Sequence, residues 1–278
     1  MPARFRHIDA FATHAFEGNS AAVYRCDAFP DDGRMLKIAR EHHLSETAWV
    51  VPDTTGAADY VLRWFTPAVE VEMCGHATLA SGHAVLSEEA DLDEVRFRTT
   101  KGAGILSVAR DNDGDGNGDG NGYRMSLPSW PSARADNAAL VAALGTVPED
   151  LRVTKNAAED SFLAIYPTAA DVRALTPDFA AMARLGNYLF IATAPGGPDD
   201  DTDVVSRVFA PGAGIDEDPV TGSAHAILTP YWAGRLGRAD FTAFQASARG
   251  GRIGCTLDGE RALLTGHCVD VIEGTLLV

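Results

Sequence analysis

The chain has 278 residues, 46% of them hydrophobic, and a formal charge of −16 from 39 acids against 23 bases. That acid excess repels a phosphate backbone and argues against nucleic acid as a partner. No run approaches the roughly 20 apolar residues of a membrane span, and the length allows one large domain or two of ordinary size.

The opening stretch, "MPARFRHIDAFATHAF", has no apolar signal-peptide core, which predicts a cytoplasmic location. In the first half "RFRHIDAFA", "AAVYRC", "TAWVVP", "DYVLRWF", "EVRFRTT" and "GILSVAR" read as strands. "DDGRMLKIAREHHL" reads as a helix, with acids at its start and basic residues near its end, as the helix dipole favours. Glu46, in "HHLSETAWVV", falls between that helix and the next strand, where an exposed acid is ordinary. From Met73 to Ser87 there is no acid, Lys or Arg. A helix over 75–87 would be apolar on every side and would have to be buried on every side.

Next comes "DNDGDGNGDGNG", residues 111–122, made only of Asp, Asn and Gly. It can bury nothing and reads as a solvated hairpin tip or inter-domain loop. Its first six residues match the opening of a calcium-binding EF-hand loop, but position twelve is Gly122 instead of a bidentate Glu. Beyond it "YRMSLP", "DSFLAIYP", "YLFIATA", "VVSRVFAP", "ALLTGHCVDVI" and "GTLLV" read as strands, and "DNAALVAALG" and "AADVRALTPDFAAMARLG" as helices. Residues 222–234 form a second uncharged helical run, with a kink or break expected at Pro230. Aligning Cys74-Gly75-His76-Ala77 with Thr221-Gly222-Ser223-Ala224 makes the halves pseudo-repeats. The expected division is 1–115 and 116–278, with the final strand free to pack back on the first half. Each half wraps strands around a central helix.

The two helix starts are the natural place for chemistry. Unpaired N–H groups at a buried N-terminus can hold a carboxylate, and Gly75 and Gly222 leave room for close approach. Two such starts facing each other across a cleft would clamp a small acid. His76 and Asp218 can carry protons there, Thr221 and Ser223 can donate hydrogen bonds, and Cys74 could serve as a thiolate base. The structural alternatives stand beside these: Cys74 as a small buried hydrophobe, His76 and His225 as core histidines, Asp218 as a helix cap. Cys26, Cys74, Cys255 and Cys268 show no CxxC or metal-ligand spacing and read as free thiols. His76 and His83 could share a helix face but lack a third ligand, so no metal is expected.

"DAFA…FEGNSAAV" (9–23), "LSETAWV" (44–50), "LRWFTPAVEVEMCGHATLASGHAVL" (62–86) and "EDPVTGSAHAILTPYWA" (217–233) together resemble the phenazine biosynthesis PhzF-like isomerase family. The resemblance implies an α+β, diaminopimelate epimerase-like fold of two pseudo-symmetric halves, each a β-barrel-like sheet around a central buried helix, with the site in the cleft. It implies a homodimer acting on a small carboxylated substrate without metal or cofactor. In that family the acid of the "SET" segment carries the proton, which makes Glu46 the general acid/base, with His76 and Asp218 assisting. Asn19, Gly75, Gly222 and Ser223 would line the ligand site. Cys74 matches a position where epimerases of this fold carry one of two catalytic cysteines, but the second matches Thr221, which cannot act as a thiolate. The phenazine-pathway members have Ala where Cys74 stands and "GHP" for the "GHA" here, which places this chain in the broader branch. Two other readings remain: an amino-acid epimerase or racemase using Cys74, and a non-catalytic small-acid binding protein.

Overall fold

The computed structural model describes residues 3–102, 104–111, 122–155, 160–198 and 200–277. Most of the Asp/Gly loop, residues 112–121, lies outside them, and with it the question of calcium. The chain folds into two compact units, Met1–Ser126 with Thr265–Val278, and Leu127–Leu264.

In the first unit the chain runs β1 (Ala3–Ala10), β2 (Asn19–Arg25), α1 (Asp32–His42), β3 (Glu46–Pro52), β4 (Tyr60–Phe65), β5 (Glu70–Val71), α2 (Gly75–Leu86), β6 (Glu94–Thr99), β7 (Ile105–Arg110) and β8 (Gly122–Pro128). Helix α1 starts where Asp31 accepts a hydrogen bond from Arg34 N, and it ends at His43 in the left-handed conformation. All twelve residues of α2 are buried, so the uncharged run is the hub of this unit. Its approach to the sheet depends on Gly82, where a Cβ would stand 2.3 Å from Val108 on β7.

The second unit runs β9 (Ala133–Arg134), α3 (Ala138–Leu144), β10 (Asp150–Lys155), β11 (Asp160–Ile165), α4 (Ala169–Arg173), α5 (Phe179–Leu185), β12 (Leu189–Pro195), β13 (Val204–Ala210), β14 (Ile215–Asp218), α6 (Gly222–Leu236), β15 (Asp240–Gln245) and β16 (Gly251–Asp258). The single helix expected over 169–186 is two, because Pro177 bars Thr176 from helical backbone. Helix α6, by contrast, runs through Pro230 unbroken, held by buried Ala224–Thr229 on one side and Trp232 and Ala233 on the other. The strands β10, β15 and β16 were not evident from the sequence. The two final segments expected as separate strands form one, β17 (Arg261–Leu276), whose later part pairs antiparallel with β1.

The units repeat one pairing pattern. In the first, β1–β2 is antiparallel, β2–β3 parallel, β3–β4 and β4–β5 antiparallel, β4–β6 parallel and β6–β7 antiparallel. In the second, β10–β11, β11–β12, β12–β13, β13–β14, β13–β15 and β15–β16 follow the same order. The helix falls between the same two strands each time, α2 before β6 and α6 before β15. The fold is thus α+β, each unit a barrel-like sheet around a buried helix. Among the described residues no helix is long and apolar enough to cross a membrane.

Candidate active site

In the first unit β2, β3 and α2 bring four of the expected residues together. Glu46 opens β3, Asn19 opens β2, Cys74 is the N-cap of α2, and His76 is its second residue. Parallel pairing of β2 with β3 sets Glu46 beside Ala21, two residues from Asn19. The tight turn before Asn19 uses Gly18 at φ +64, where a Cβ would stand 2.2 Å from the Ala10 carbonyl oxygen.

All four side chains are buried, Glu46 at 8% exposure and Asn19 at 1%. His76 Nε2 lies 3.0 Å from Glu46 Oε2. Asn19 Nδ2 lies 3.2 Å from His76 Nδ1, and Ser45 Oγ is 3.1 Å from Asn19 Oδ1. Cys74 Sγ is 3.5 Å from His76 Nδ1 and 4.0 Å from Nε2. The Glu46–His76 contact has ion-pair distance without hydrogen-bond angles, so Glu46 Oε2 is a buried oxygen with no aligned donor.

Burial works against a charged His76, but Cys74 and Glu46 beside it outweigh that, and its pKa lies well above the usual imidazole range. Burial and the Glu46 charge push the Cys74 thiol up to about 11. The thiol is therefore neutral near pH 7. Against the thiolate reading of Cys74, the pull of the Ala77 N–H in the first turn is weaker than burial and Glu46 together. His76 stands against the Glu46 carboxylate. Asn19 fits either state of the ring. With Nδ2 toward Nδ1 it donates to a neutral imidazole; turned over, its Oδ1 accepts from an imidazolium.

In the second unit β14 and α6 gather the other expected residues. Asp218 ends β14, Thr221 is the N-cap of α6, and Gly222 and Ser223 open its first turn. Thr221 Oγ1 donates to Asp218 Oδ2 instead of capping the helix. Gln245, fully buried at the end of β15, accepts from Thr221 N at 2.9 Å and donates to the Asp218 carbonyl at 2.7 Å. His225 Nδ1 is 2.8 Å from the Thr221 carbonyl, which can only accept, so Nδ1 carries the proton and Nε2 accepts from Ser206 Oγ at 3.3 Å. Burial pushes its pKa down to about 4 despite the Thr221 bond.

His83 does not join His76. Its Nδ1 meets Tyr123 Oη at 2.9 Å and its Nε2 meets Asp270 Oδ2 at 3.0 Å, a separate network that reaches the surface at Asp270. The donors that do converge are Glu46, Cys74 and His76, all within 4.8 Å of one another, a grouping no sequence spacing reveals. Sequence spacing points to neither Ser45 nor Gln245. Ser45 precedes Glu46 in the "SET" segment and carried a signal; Gln245 sits on a strand that was not recognised.

The family model described as phenazine biosynthesis-like protein (PhzC-PhzF) matches residues 8–274. A Pseudomonas aeruginosa protein named as an uncharacterized isomerase is 45% identical over 276 residues, covering 99% of each chain. Among solved structures, a phenazine biosynthesis protein of the PhzF family from Enterococcus faecalis superposes with a TM-score of 0.87 at 34% identity, over 100% of both chains. A predicted epimerase from Pseudomonas aeruginosa shares the fold, with a TM-score of 0.76 at 18% identity over 99% of each chain.

Proposed function

The chain belongs to the phenazine biosynthesis-like (PhzC-PhzF) family, and from that premise we propose that it is an isomerase that moves a proton within a small carboxylated substrate, with Glu46 as the general acid/base and no metal or cofactor in the reaction. The names of its relatives support the isomerase class. The observation that carries the assignment to Glu46 is its Oε2, buried, without an aligned donor, and 3.0 Å from His76 Nε2. A carboxylate lone pair in that position is free to take a proton from carbon.

The steps balance within one substrate. Glu46 removes a proton from a carbon next to an unsaturated system, and the electron pair of the broken C–H bond enters that system. His76, charged, balances the negative charge that builds there, and Asn19 holds the ring in place. Glu46 then returns its proton to another carbon, which restores the carboxylate. No side-chain oxygen caps α2, so N–H groups of its first turn, with Gly75, are suited to the substrate carboxylate. In the second unit we assign Asp218 as a further proton-carrying group, with Gly222 and Ser223 as ligand-binding residues. A thiol with its pKa near 11 disfavours Cys74 as the base of an epimerase.

A general base contributes about 10²–10⁴-fold in rate, or about 3–5 kcal/mol of barrier. Incubation in D₂O with a panel of dihydroaromatic acids and amino acids, read by mass spectrometry, should place deuterium on carbon of one compound with wild-type protein. Glu46→Gln should cut that rate by about 10²–10⁴-fold while the protein stays folded. A variant that keeps more than about a tenth of the wild-type rate is not compatible with Glu46 as the base.

A further inference from the structure

The three donors at the start of α2 differ in kind: a thiol, an imidazole and a carboxylate. These are the ligand types of a three-residue zinc site with one open position. Their atoms lie within 4.8 Å of one another, in one buried cluster. A tetrahedral zinc with ordinary bond lengths sets ligand edges of about 3.4–3.6 Å. The separations here are 4.0 Å from Cys74 Sγ to His76 Nε2 and 3.0 Å from Nε2 to Glu46 Oε2. The two edges change by about half an ångström or less, and Sγ must also swing off Nδ1, now 3.5 Å away, because a cation on Nε2 lies on the side of the ring away from Nδ1.

A second observation points to the same place. Glu46 Oε2 is buried without an aligned donor and faces His76 Nε2, the nitrogen that would bind. The other ring nitrogen has the support that a metal-bound histidine needs. With the amide of Asn19 turned over, its Oδ1 accepts from Nδ1–H and its Nδ2 donates to Ser45 Oγ. A divalent cation would also close the charge balance, since one carboxylate and one thiolate together carry two negative charges.

We propose that Glu46, Cys74 and His76 form a binding site for one thiophilic divalent cation of the zinc type, which silences the proton transfer. On loading, the Cys74 S–H proton and the proton on His76 Nε2 leave to solvent, and the cation bonds to Sγ, Nε2 and Oε2. No oxidation or reduction takes place. With its lone pair on the cation, Glu46 cannot accept a proton from carbon. The binding half stands on geometry alone; the silencing half rests on the assignment of Glu46 as the base.

The test is titration of the full chain with Co²⁺, read by the thiolate-to-cobalt absorption band, with Zn²⁺ as competitor. One equivalent should saturate the band, and zinc should erase it. Cys74→Ser and Cys74→Ala should both lose the band, with thermal melts of the metal-free proteins establishing that they fold. Asn19→Ala should weaken binding by about 10–100-fold, as loss of a supporting hydrogen bond does. Cys26→Ser should leave the band unchanged, because that thiol lies outside the cluster. A wild-type protein without the band, or a band that survives in Cys74→Ser, overturns the site. Exchange into substrate that persists with one equivalent of zinc bound overturns the silencing. A wild-type protein with the band and no exchange under metal-free conditions refutes the base assignment and leaves the site standing.

Discussion

At the start of α2 the buried groups are ionisable and loosely engaged: Glu46 Oε2 has no aligned donor, and Cys74 and His76 touch at 3.5 Å. At the start of α6 the same turn of backbone is closed by hydrogen bonds, from Thr221 to Asp218 and from Gln245 to both ends of the Asp218–Thr221 turn. Strand register makes the comparison residue by residue. Counting three back from each N-cap aligns Val71 with Asp218. Those pair with Trp64 and Val208, and the neighbouring Phe65 and Phe209 pair with Thr47 and Phe190. One residue earlier, Glu46 aligns with Leu189. Each unit thus has one carboxylate where the other has an aliphatic side chain, and His76 stands where the second unit has Ser223. The two units share a helix start and place their carboxylates at different positions of the repeat.

The largest effect should come from removing the charged partner in the first unit. His76→Ala leaves the buried Glu46 carboxylate without its counter-charge, an arrangement that costs about 3–5 kcal/mol. The aligned Ser223→Ala should shift stability by no more than about 0.5 kcal/mol, as substitutions away from such features do. Denaturant unfolding of both variants measures the contrast. Adding Glu46→Gln to His76→Ala should recover part of the loss, since the stranded charge is then gone. Equal effects at the two positions would mean that the starts are equivalent after all.

The two buried histidines should also respond to pH in opposite directions. His76 has its folded pKa above the unfolded value, so its stabilisation is full below about 6.5 and is lost as pH rises through the folded pKa. His225 has its folded pKa lowered to about 4, so its neutral form is favoured, and its contribution is full above about 6.5 and lost as pH falls toward 4. That difference corresponds to about 3 kcal/mol across the acid window. Histidine-selective NMR should find His76 protonated and His225 neutral at pH 7. In Glu46→Gln the His76 pKa should fall, because one of the two groups that raise it is neutralised. Titration of both rings near 6.5 would erase the distinction.

Gln245 tests whether hydrogen bonds are what close the second start. Its counterpart by register is Thr99, whose hydroxyl serves its own hairpin at Gly104. Gln245→Leu keeps much of the volume but orphans the Thr221 N–H, at about 1–3 kcal/mol. The Asp218 carbonyl, with two lone pairs, is the more tolerant of the two. Thermal unfolding of Gln245→Leu beside Thr99→Val should give a clearly larger loss for the former.

What could be read in advance follows from range. The two uncharged runs announce buried helices because the rule is local, and α2 and α6 form where expected. Glu46 and Cys74 are far apart in sequence and meet only through the pairing of β2 with β3 and the packing of α2, so their contact has no local signal; the family motif alone marked Glu46. Pro177 broke a helix that its flanking alanines favoured, whereas Pro230 did not break α6, because burial on both sides outweighs one lost hydrogen bond. Gln245 has a plain reason to be illegible: "DFTAFQ" has alternating apolar residues but is short and opens on a charged one, Asp240.

The smallest expected change is the most discriminating for Cys74 itself. Its aligned residue, Thr221, has a hydroxyl that donates to a carboxylate, whereas the Cys74 thiol lies 3.5 Å from His76 Nδ1 and beside the Ala77 N–H. A Cys74→Ser substitution makes the first start resemble the second by one atom. If the thiol is a neutral spectator in the proton transfer, deuterium exchange in metal-free buffer should change by less than about tenfold, well short of the 10²–10⁴-fold expected of a lost base. The hydroxyl, a better donor than a thiol, should also turn toward Glu46 or His76 and tighten the cluster, which a higher melting temperature would register. Loss of exchange as complete as in Glu46→Gln would put the proton on sulfur, and the first unit would then have kept the thiol chemistry that Thr221 has lost from the second.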